Sequence, residues 1–242
     1  MRHSRIHTPQ ALTTEAVVKL EDPASHYITR VLRLSIGDSI TLFNGDGCDY
    51  TAEICELQRQ NVMLRVSDSL LPENESPLKI TLVQAISRGE RMDFSLQKAT
   101  ELGVHCIQPV ISRRVEVRLN EKRQIKRVAH WQAVVISACE QSGRALVPEV
   151  RMPVSLLEWA SWKDESPRLV LDPTATQKMS SMVTEGELLS LLIGPEGGFS
   201  TSEMKTLEAQ GVKAVTLGRR ILRTETAGPA AIAILQATLG DL

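Results

Sequence analysis

Most of the chain alternates short apolar runs with longer segments of helical periodicity. Leu78–Ile86 has the length and composition of a buried strand, whereas the apolar residues of Arg91–Leu102 recur at helical spacing up to Gly103, a residue that favours a helix end. Parallel strands need long and usually helical connections, so this alternation predicts a mostly parallel sheet covered by helices. The sequence therefore predicts an α/β fold for residues 78–242.

The same patterns predict the other elements of this α/β region. Strands are predicted at Val104–Ile111, Leu169–Leu171, Leu188–Ile193 and Val212–Leu217. Helices are predicted at Glu121–Gln141, after the capping box Ser200–Glu203, and at Thr226–Leu239. Pro229 is placed in the first turn of the last helix, where its missing N–H has little cost.

The N-terminal part has a different pattern of short β segments and turns. Its strand-like segments, its helix-like insert and its turn are Val17–Leu20, Ala24–Leu34, Ser39–Phe43, Asn44–Gly47 and Val62–Val66. Two prolines among polar residues then indicate a linker. We predict a small β-barrel at residues 1–72, a linker at 73–77 and the α/β domain at 78–242.

The four cysteines form no CxxC pair, and no histidine lies at zinc-finger spacing, so reduced thiols and no metal site are predicted. The first ten residues lack the apolar core of a signal peptide. The apolar runs are far shorter than the ~20 residues of a membrane span. We therefore expect a cytoplasmic protein that is not held in a membrane.

Charge is unevenly distributed, although the formal net charge is only −1. Residues 1–76 carry 7 basic and 11 acidic side chains, whereas the stretch Arg113–Arg127 holds seven basic residues opposed by Glu116 and Glu121. Local patches, rather than the total charge, decide the attraction of phosphates. This stretch is either a solvated helix face or a surface that contacts an RNA backbone.

Two loops carry the chemistry of the α/β region. Leu192–Phe199 contains GPEGG and follows a buried strand, which is where α/β sheets bind ligands. Leu217–Ala227 follows the next predicted strand and contains neither a P-loop nor a GxGxxG pattern. Either loop alone is compatible with a tight turn or a capped basic loop. Since they follow successive strands of one sheet, together they predict a single pocket.

The pair of GPEGG and LGRRILRTETA resembles the RsmE family, the 16S ribosomal RNA uridine-N3 methyltransferases of the SPOUT superfamily. Further matching segments extend over nearly the whole chain: Arg30–Arg33, Ser87–Met92, Gln97–Gly103 and Glu140–Arg144. The combination is specific, whereas each segment alone is weak. The resemblance implies a PUA-like RNA-binding barrel followed by a methyltransferase domain with a deep trefoil knot.

The resemblance also implies S-adenosyl-L-methionine as the cofactor, held in the knotted loops. Apolar side chains and backbone groups would then hold the adenine, which agrees with the ordinary composition of ligand pockets. The residues to which this role is assigned are Leu171, Ile193, Gly194, Glu196, Gly197, Leu217, Gly218, Ile221, Leu222 and Ala227.

Three residues of the matched motifs are predicted to be catalytic. Arg223 and Arg144 are expected to face the reacting uridine or the carboxylate of the cofactor, because a guanidinium binds carboxylate or phosphate in a bidentate manner. Glu225 is expected to orient them or to cap the last helix. An arginine beside the uracil carbonyls would stabilise the negative charge that develops when N3 loses its proton.

The expected partners are 16S ribosomal RNA in the small subunit and a second copy of the chain. RNA contacts are predicted for Arg30, Arg33, Arg88, Arg113, Arg114, Arg118, Lys122 and Arg123. A salt-bridged surface arginine is the competing interpretation for each isolated arginine.

Three alternatives stay open at this point: a related enzyme with another RNA target, an RNA-binding assembly factor that does not transfer methyl groups, and a nucleotide-binding α/β protein. The missing P-loop and dinucleotide motifs disfavour the last of these.

Overall fold

The computed structural model describes residues 4–58, 61–114, 121–163, 166–181 and 188–242. The chain divides into two compact units. The first contains Met1–Glu75 together with Cys139–Val147, and the second contains Ser76–Ala138 together with Pro148–Leu242. The chain order alone does not indicate that 139–147 belong with the N-terminal part. The predicted bounds at 72 and 78 stay a prediction.

The first unit is built on a five-stranded sheet in the order β1-β3-β4-β5-β2. These strands are β1 Arg5–His7, β2 Val17–Leu20, β3 Ser39–Phe43, β4 Asp49–Leu57 and β5 Val62–Leu70. Buried and exposed residues alternate along most of β4, as the two-residue period of a strand requires. The inward side chains, among them Leu42, Ile54 and Leu64, form one apolar core. The predicted N-terminal β domain is thus confirmed, as a curled half-barrel.

The helix-like insert predicted at Ala24–Leu34 is a short helix, α1 Ala24–His26, continued by a π-helical turn at Tyr27–Val31. Ile28 anchors this turn and is fully buried in the core. Arg30 and Arg33, which are predicted to contact RNA, are both exposed.

The second unit contains a seven-stranded sheet in the order β12-β10-β11-β6-β7-β8, with β9 paired to β7. Its strands are β6 Lys79–Ala85, β7 Cys106–Ile111, β8 Glu149–Val150, β9 Val154–Ser155, β10 Arg168–Leu171, β11 Leu188–Ile193 and β12 Lys213–Val215. Each pairing in the described part of this sheet is parallel. The predicted parallel sheet is therefore confirmed.

Five helices accompany this sheet in the described ranges: α2 Glu90–Glu101, α3 Glu121–Ser142, α4 Leu156–Ser161, α5 Thr201–Ala209 and α6 Thr224–Leu239. The capping box at Ser200 and Glu203 is present at the start of α5, as predicted. Within the described residues, no helix combines the length and the apolar character that a membrane span requires.

One detail of α6 is a correction. The prediction places Pro229 in the first turn, but α6 begins at Thr224, two residues earlier than predicted, so Pro229 lies inside the helix. Its missing N–H leaves the carbonyl of Glu225 without its usual helical partner. The predicted start of the helix was wrong because the residue that precedes the first turn is the extended Arg223, whose side chain does not cap the helix.

Gln236 connects α6 to the end of α2 and is fully buried. Its side-chain Nε2 donates to the carbonyls of Leu102 and Gly103 at 3.1 and 3.3 Å, and its Oε1 accepts from the Ser76 hydroxyl at 2.6 Å. One amide thus satisfies three polar groups, two of which are carbonyls at the C-terminal end of α2.

Replacing Gln236 by leucine is therefore expected to lower the free energy of unfolding by about 2 kcal/mol, because buried polar groups lose their partners. Urea unfolding of the purified protein measures this change. Gln97→Leu is the control, since Gln97 is exposed on α2 and its replacement should change stability by less than about 0.5 kcal/mol. Equal stability of the two variants would contradict this role of Gln236.

Candidate functional site

A cavity of about 600 Å³ lies where β10, β11 and β12 end. Its wall consists mainly of residues at the carboxyl ends of these strands and in the segments that follow them, within 171–173, 194–199 and 215–225. Because the strands are parallel, their carboxyl ends meet at one edge of the sheet, where α/β proteins bind ligands. The volume lies within the range of roughly 300–1,000 Å³ that is usual for small-molecule sites.

Eight of the ten residues predicted to bind the cofactor line this cavity: Leu171, Gly194, Glu196, Gly197, Leu217, Ile221, Leu222 and Ala227. The other two are absent from its wall. Ile193 is buried at the end of β11 and packs inside the sheet, whereas Gly218 lies in the turn after β12. The predicted catalytic residues Arg223 and Glu225 also line the cavity.

Several lining residues were missed by the sequence analysis, and they are of two kinds. Some lie within the two motif loops, or next to one in the case of Thr216, but were not assigned to the cofactor: Pro195, Gly198, Phe199, Thr216, Arg220 and Thr224. Others come from elsewhere in the chain: Arg91, Asp172, Pro173, Met204 and Val215. Arg91 lies on α2, and no local pattern connects it with a loop more than one hundred residues away.

The shape of the GPEGG loop depends on its glycines. A Cβ at Gly194 would stand 3.2 Å from Cε2 of the Phe199 ring, so a larger residue there would displace the ring. Gly198 has a φ of +64° and donates its N–H to the carbonyl of Pro195 at 2.9 Å. Glycine adopts this left-handed conformation without strain, which allows the loop to turn back on itself.

The end of this loop is held by the carboxylate of Glu203. Its Oε1 accepts the backbone N–H of Arg113 at 2.8 Å, and its Oε2 accepts the N–H of Ser200 at 2.8 Å. Burial opposes the charge of Glu203, but these two backbone hydrogen bonds, the Ser200 hydroxyl and the charge of Arg113 outweigh it and lower the pKa of Glu203. Glu203 is therefore a buried anion that joins the segment after β7 to the start of α5.

A second carboxylate, Glu196, lies in the loop itself. Its Oε1 accepts the backbone N–H of Arg88 at 3.3 Å and the Arg91 guanidinium at 3.0 Å. Partial burial opposes its charge, but hydrogen bonds from its own backbone N–H, from Arg88 and from Arg91 dominate and lower its pKa. Arg91 also lies 3.9 Å from Oε1 of Glu225, so it links the loop to the first turn of α6.

The arginines near the cavity therefore divide into two groups. Arg91 and Arg114 bind the loop, since the Arg114 guanidinium donates to the carbonyl of Gly197. Arg220 and Arg223 line the cavity and are exposed, and within the described ranges neither guanidinium has a hydrogen-bond or ion-pair partner. Two positively charged side chains in the cavity wall are thus available to pair with a ligand.

Arg144 is placed differently from the other predicted catalytic residues. It belongs to the first unit and is not among the residues that line the cavity. Its side chain is buried and forms a bidentate pair with Glu75, with Nε 3.1 Å and Nη2 2.6 Å from the carboxylate oxygens. Its catalytic role stays a prediction.

The residues predicted to contact RNA are exposed wherever the structure describes them. Arg88 precedes α2, and Lys122 and Arg123 lie in the first turn of α3. Arg113 and Arg114 are exposed too, although the Arg113 guanidinium donates to the Ser202 hydroxyl on α5 and that of Arg114 donates to the carbonyl of Gly197. Arg118 lies outside the described residues. Over the described ranges, no group of three or more His, Cys, Asp or Glu side chains is arranged to hold a metal.

The ionised state of Glu203 predicts a pH-dependent contribution to stability. Because folding lowers its pKa, this contribution is present above the ordinary value of 4.5 and is lost as the pH falls below it. Glu203→Gln is expected to cost about 1 kcal/mol at pH 7, as lost caps do, and less in acid. Urea unfolding at pH 7 and at a pH below 4.5 measures the difference in stability between the variant and the wild-type protein. Glu208→Gln, at an exposed position on α5, is the control. A pH-independent difference would be the contrary result.

The fold and the cavity describe a class of protein. A parallel sheet with ligand-poised loops at its carboxyl edge accompanies a separate β unit. Residues 74–236 match the family described as RNA methyltransferase domain, and residues 20–67 match the family described as RNA methyltransferase PUA domain. The chain thus belongs to the PUA-containing RNA methyltransferases.

Individual relatives narrow this class. Ribosomal RNA small subunit methyltransferase E from Buchnera aphidicola subsp. Schizaphis graminum is 37% identical, over 100% of this chain and 98% of the relative. The crystal structure of the enzyme of that name from Neisseria gonorrhoeae, bound to S-adenosyl methionine, is 41% identical with a TM-score of 0.95, covering 99% of both chains. A Legionella pneumophila methyltransferase with bound cofactor SAM is 39% identical with a TM-score of 0.96, covering 100% of both. The chain is a member of the ribosomal RNA small subunit methyltransferase E family.

Proposed function

We propose that this protein transfers a methyl group from S-adenosyl-L-methionine to N3 of a uridine in the decoding region of 16S ribosomal RNA in the small subunit. The observation that supports this most directly is the cavity itself. Eight residues assigned to the cofactor from two sequence motifs line one space of about 600 Å³. Relatives of the same family and fold were solved with this cofactor bound.

The lining has the chemistry that the cofactor requires. Apolar side chains of Leu171, Leu217 and Leu222 would flank the adenine, and backbone groups of the GPEGG loop would hydrogen-bond to it. Three acidic and three basic side chains in the wall suit the ammonium and carboxylate of the methionine part: Asp172, Glu196, Glu225, Arg91, Arg220 and Arg223. When bound, the cofactor supplies an electrophilic methyl group.

The residues of the chain position the uridine and stabilise charge. Arg223 immediately precedes α6 and is free to face the uracil carbonyls, where its guanidinium would stabilise the anion that forms when N3 loses its proton. Glu225 lies in the first turn of α6 and faces Arg91, so its proposed task is to orient the cations beside the cavity. The uridine must leave its stack to expose N3. Arg144 is retained as the second candidate for charge stabilisation.

Several finer features belong to the same proposal. They are the trefoil knot, a homodimer, action in the cytoplasm where small subunits are assembled, an RNA-binding role for residues 1–72 and a catalytic role for 78–242. The support for them is the resemblance of the matched motifs. The exposed cations of the first turn of α3 and of residues 30–33 are the proposed contacts to the RNA backbone.

Methyl transfer from labelled cofactor to purified small subunits, followed by nucleotide mapping, tests the function directly. Arg223→Ala is expected to lower kcat/KM by about 100-fold, as the loss of a charge-stabilising donor does. Arg219→Ala is the matched control, because Arg219 is exposed in the same loop but does not line the cavity. Full turnover of the Arg223 variant would contradict the role of Arg223 in charge stabilisation. Methylation at another nucleotide would contradict the proposed target uridine.

The basic start of α3 predicts a salt-dependent contribution to RNA affinity. Lys122→Ala is expected to weaken binding of small-subunit RNA irrespective of sequence and to reduce the salt slope by about 1, because one phosphate contact is lost. Filter binding at several salt concentrations measures both quantities. Lys213→Ala is the control, since Lys213 is an exposed lysine at the start of β12, outside the basic stretch Arg113–Arg127. Identical salt slopes for the two variants would contradict the contact.

A further inference from the structure

Gln84 is a fully buried polar residue that has no role in the reaction proposed above. It lies near the carboxyl end of β6 and stands opposite Ile193, the last residue of β11. A buried amide without partners would strongly destabilise the fold, so its hydrogen bonds indicate what it is for.

The hydrogen bonds of Gln84 are part of a chain in which each donor and each acceptor can be assigned. The Gln84 Nε2 donates to the carbonyl of Ala85 at 3.0 Å and to the hydroxyl of Thr224 at 3.2 Å, and that hydroxyl lies 2.7 Å from the carbonyl of Gly194. A carbonyl can only accept, so the single proton of the Thr224 hydroxyl is directed to Gly194. The hydroxyl must then accept from Gln84, which determines the orientation of the amide.

The other atom of the amide supports this interpretation. Oε1 of Gln84 is buried and has no hydrogen-bond partner in the described part of the chain. The reverse orientation would place Oε1 against the carbonyl of Ala85, where two acceptors repel each other. The side chain thus acts as a donor, even though one acceptor is left unpaired at a cost in free energy.

The two ends of the chain are parts of the cavity wall. Thr224 is the first residue of α6 and stands between Arg223 and Glu225, whereas Gly194 is the first residue of the GPEGG loop. We propose that Gln84 and Thr224 are positioning residues that hold the GPEGG loop against the start of α6 and thereby set the separation between the cofactor and Arg223. This inference rests on the proposed methyltransferase function.

Two variants of nearly unchanged shape break the chain: Gln84→Met removes the donor, and Thr224→Val removes the hydroxyl. Each variant is expected to raise the Kd for S-adenosyl-L-methionine in calorimetry about tenfold and to lower kcat about tenfold, which is the size of effect expected from one lost hydrogen bond. The KM for small subunits is expected to stay within about twofold of the wild-type value. The double variant should be little worse than either single variant, because both break the same chain. Thr224→Ser, which keeps the hydroxyl, should restore binding.

Gln108→Met is the matched control. Gln108 is equally buried on the neighbouring strand β7 and donates to the carbonyls of Pro109 and Met152 at 2.9 and 3.0 Å, but it does not line the cavity. Its replacement should lower the melting temperature and leave the Kd for the cofactor unchanged. If Gln84 only stabilised the fold, Gln84→Met would also lower the melting temperature and leave the Kd for the cofactor unchanged. That result would overturn the proposal.

The outcomes separate the two proposals. If the wild-type protein binds the cofactor and the folded Gln84→Met and Thr224→Val variants bind and turn over equally well, the positioning role is wrong and the methyltransferase function stands. If the wild-type protein neither binds the cofactor nor methylates small subunits, the function itself is wrong, and the positioning role fails with it. Should Thr224→Val not fold, Gln84→Met and Thr224→Ser carry the same comparison.

Discussion

The parallel register of β10, β11 and β12 is the constraint on which the cavity depends. Val170 stands opposite Leu192, and Leu171 stands opposite Val215, so the three strands end nearly level. Their following segments then lie side by side at one edge, and α5 and α6 begin there with their positive dipole ends. β10 lies between β11 and β12, so the segment at Asp172 begins between the two strands from which the motif loops leave.

At this edge, carboxylates and one buried amide hold backbone that no strand or helix supports. Glu203 and Glu196 accept backbone N–H groups, and Gln84 acts through Thr224 on the carbonyl of Gly194. Each is at least partly shielded from water, where such hydrogen bonds are stronger and their loss more costly. The loop is therefore held in place by side chains from α2, α5, β6 and α6, which suits a site that must receive a ligand with little rearrangement.

Much of the fold is predicted by local pattern. The continuous apolar run of β11 and the capping box of α5 are found as expected, because strand burial and helix caps are properties of neighbouring residues. The two-residue strands β8 and β9 and the short helix α4 were not predicted, since elements of this length show no periodicity. Both strands pair with β7, so their hydrogen bonds depend on the tertiary fold rather than on a local pattern.

For the site, local sequence is enough to identify the two glycine-containing loops and the family to which they belong, because both are runs of adjacent residues with particular side chains. The three-dimensional fold is needed to show which arginines are paired with other residues of the protein and which are available to a ligand. Arg91 and Arg114 are bound to the loop and Arg144 to Glu75, whereas Arg223 faces the cavity unpaired by the described residues. Sequence cannot make this distinction, because an arginine's partner is set by the order of strands in the sheet and not by its neighbours in the chain.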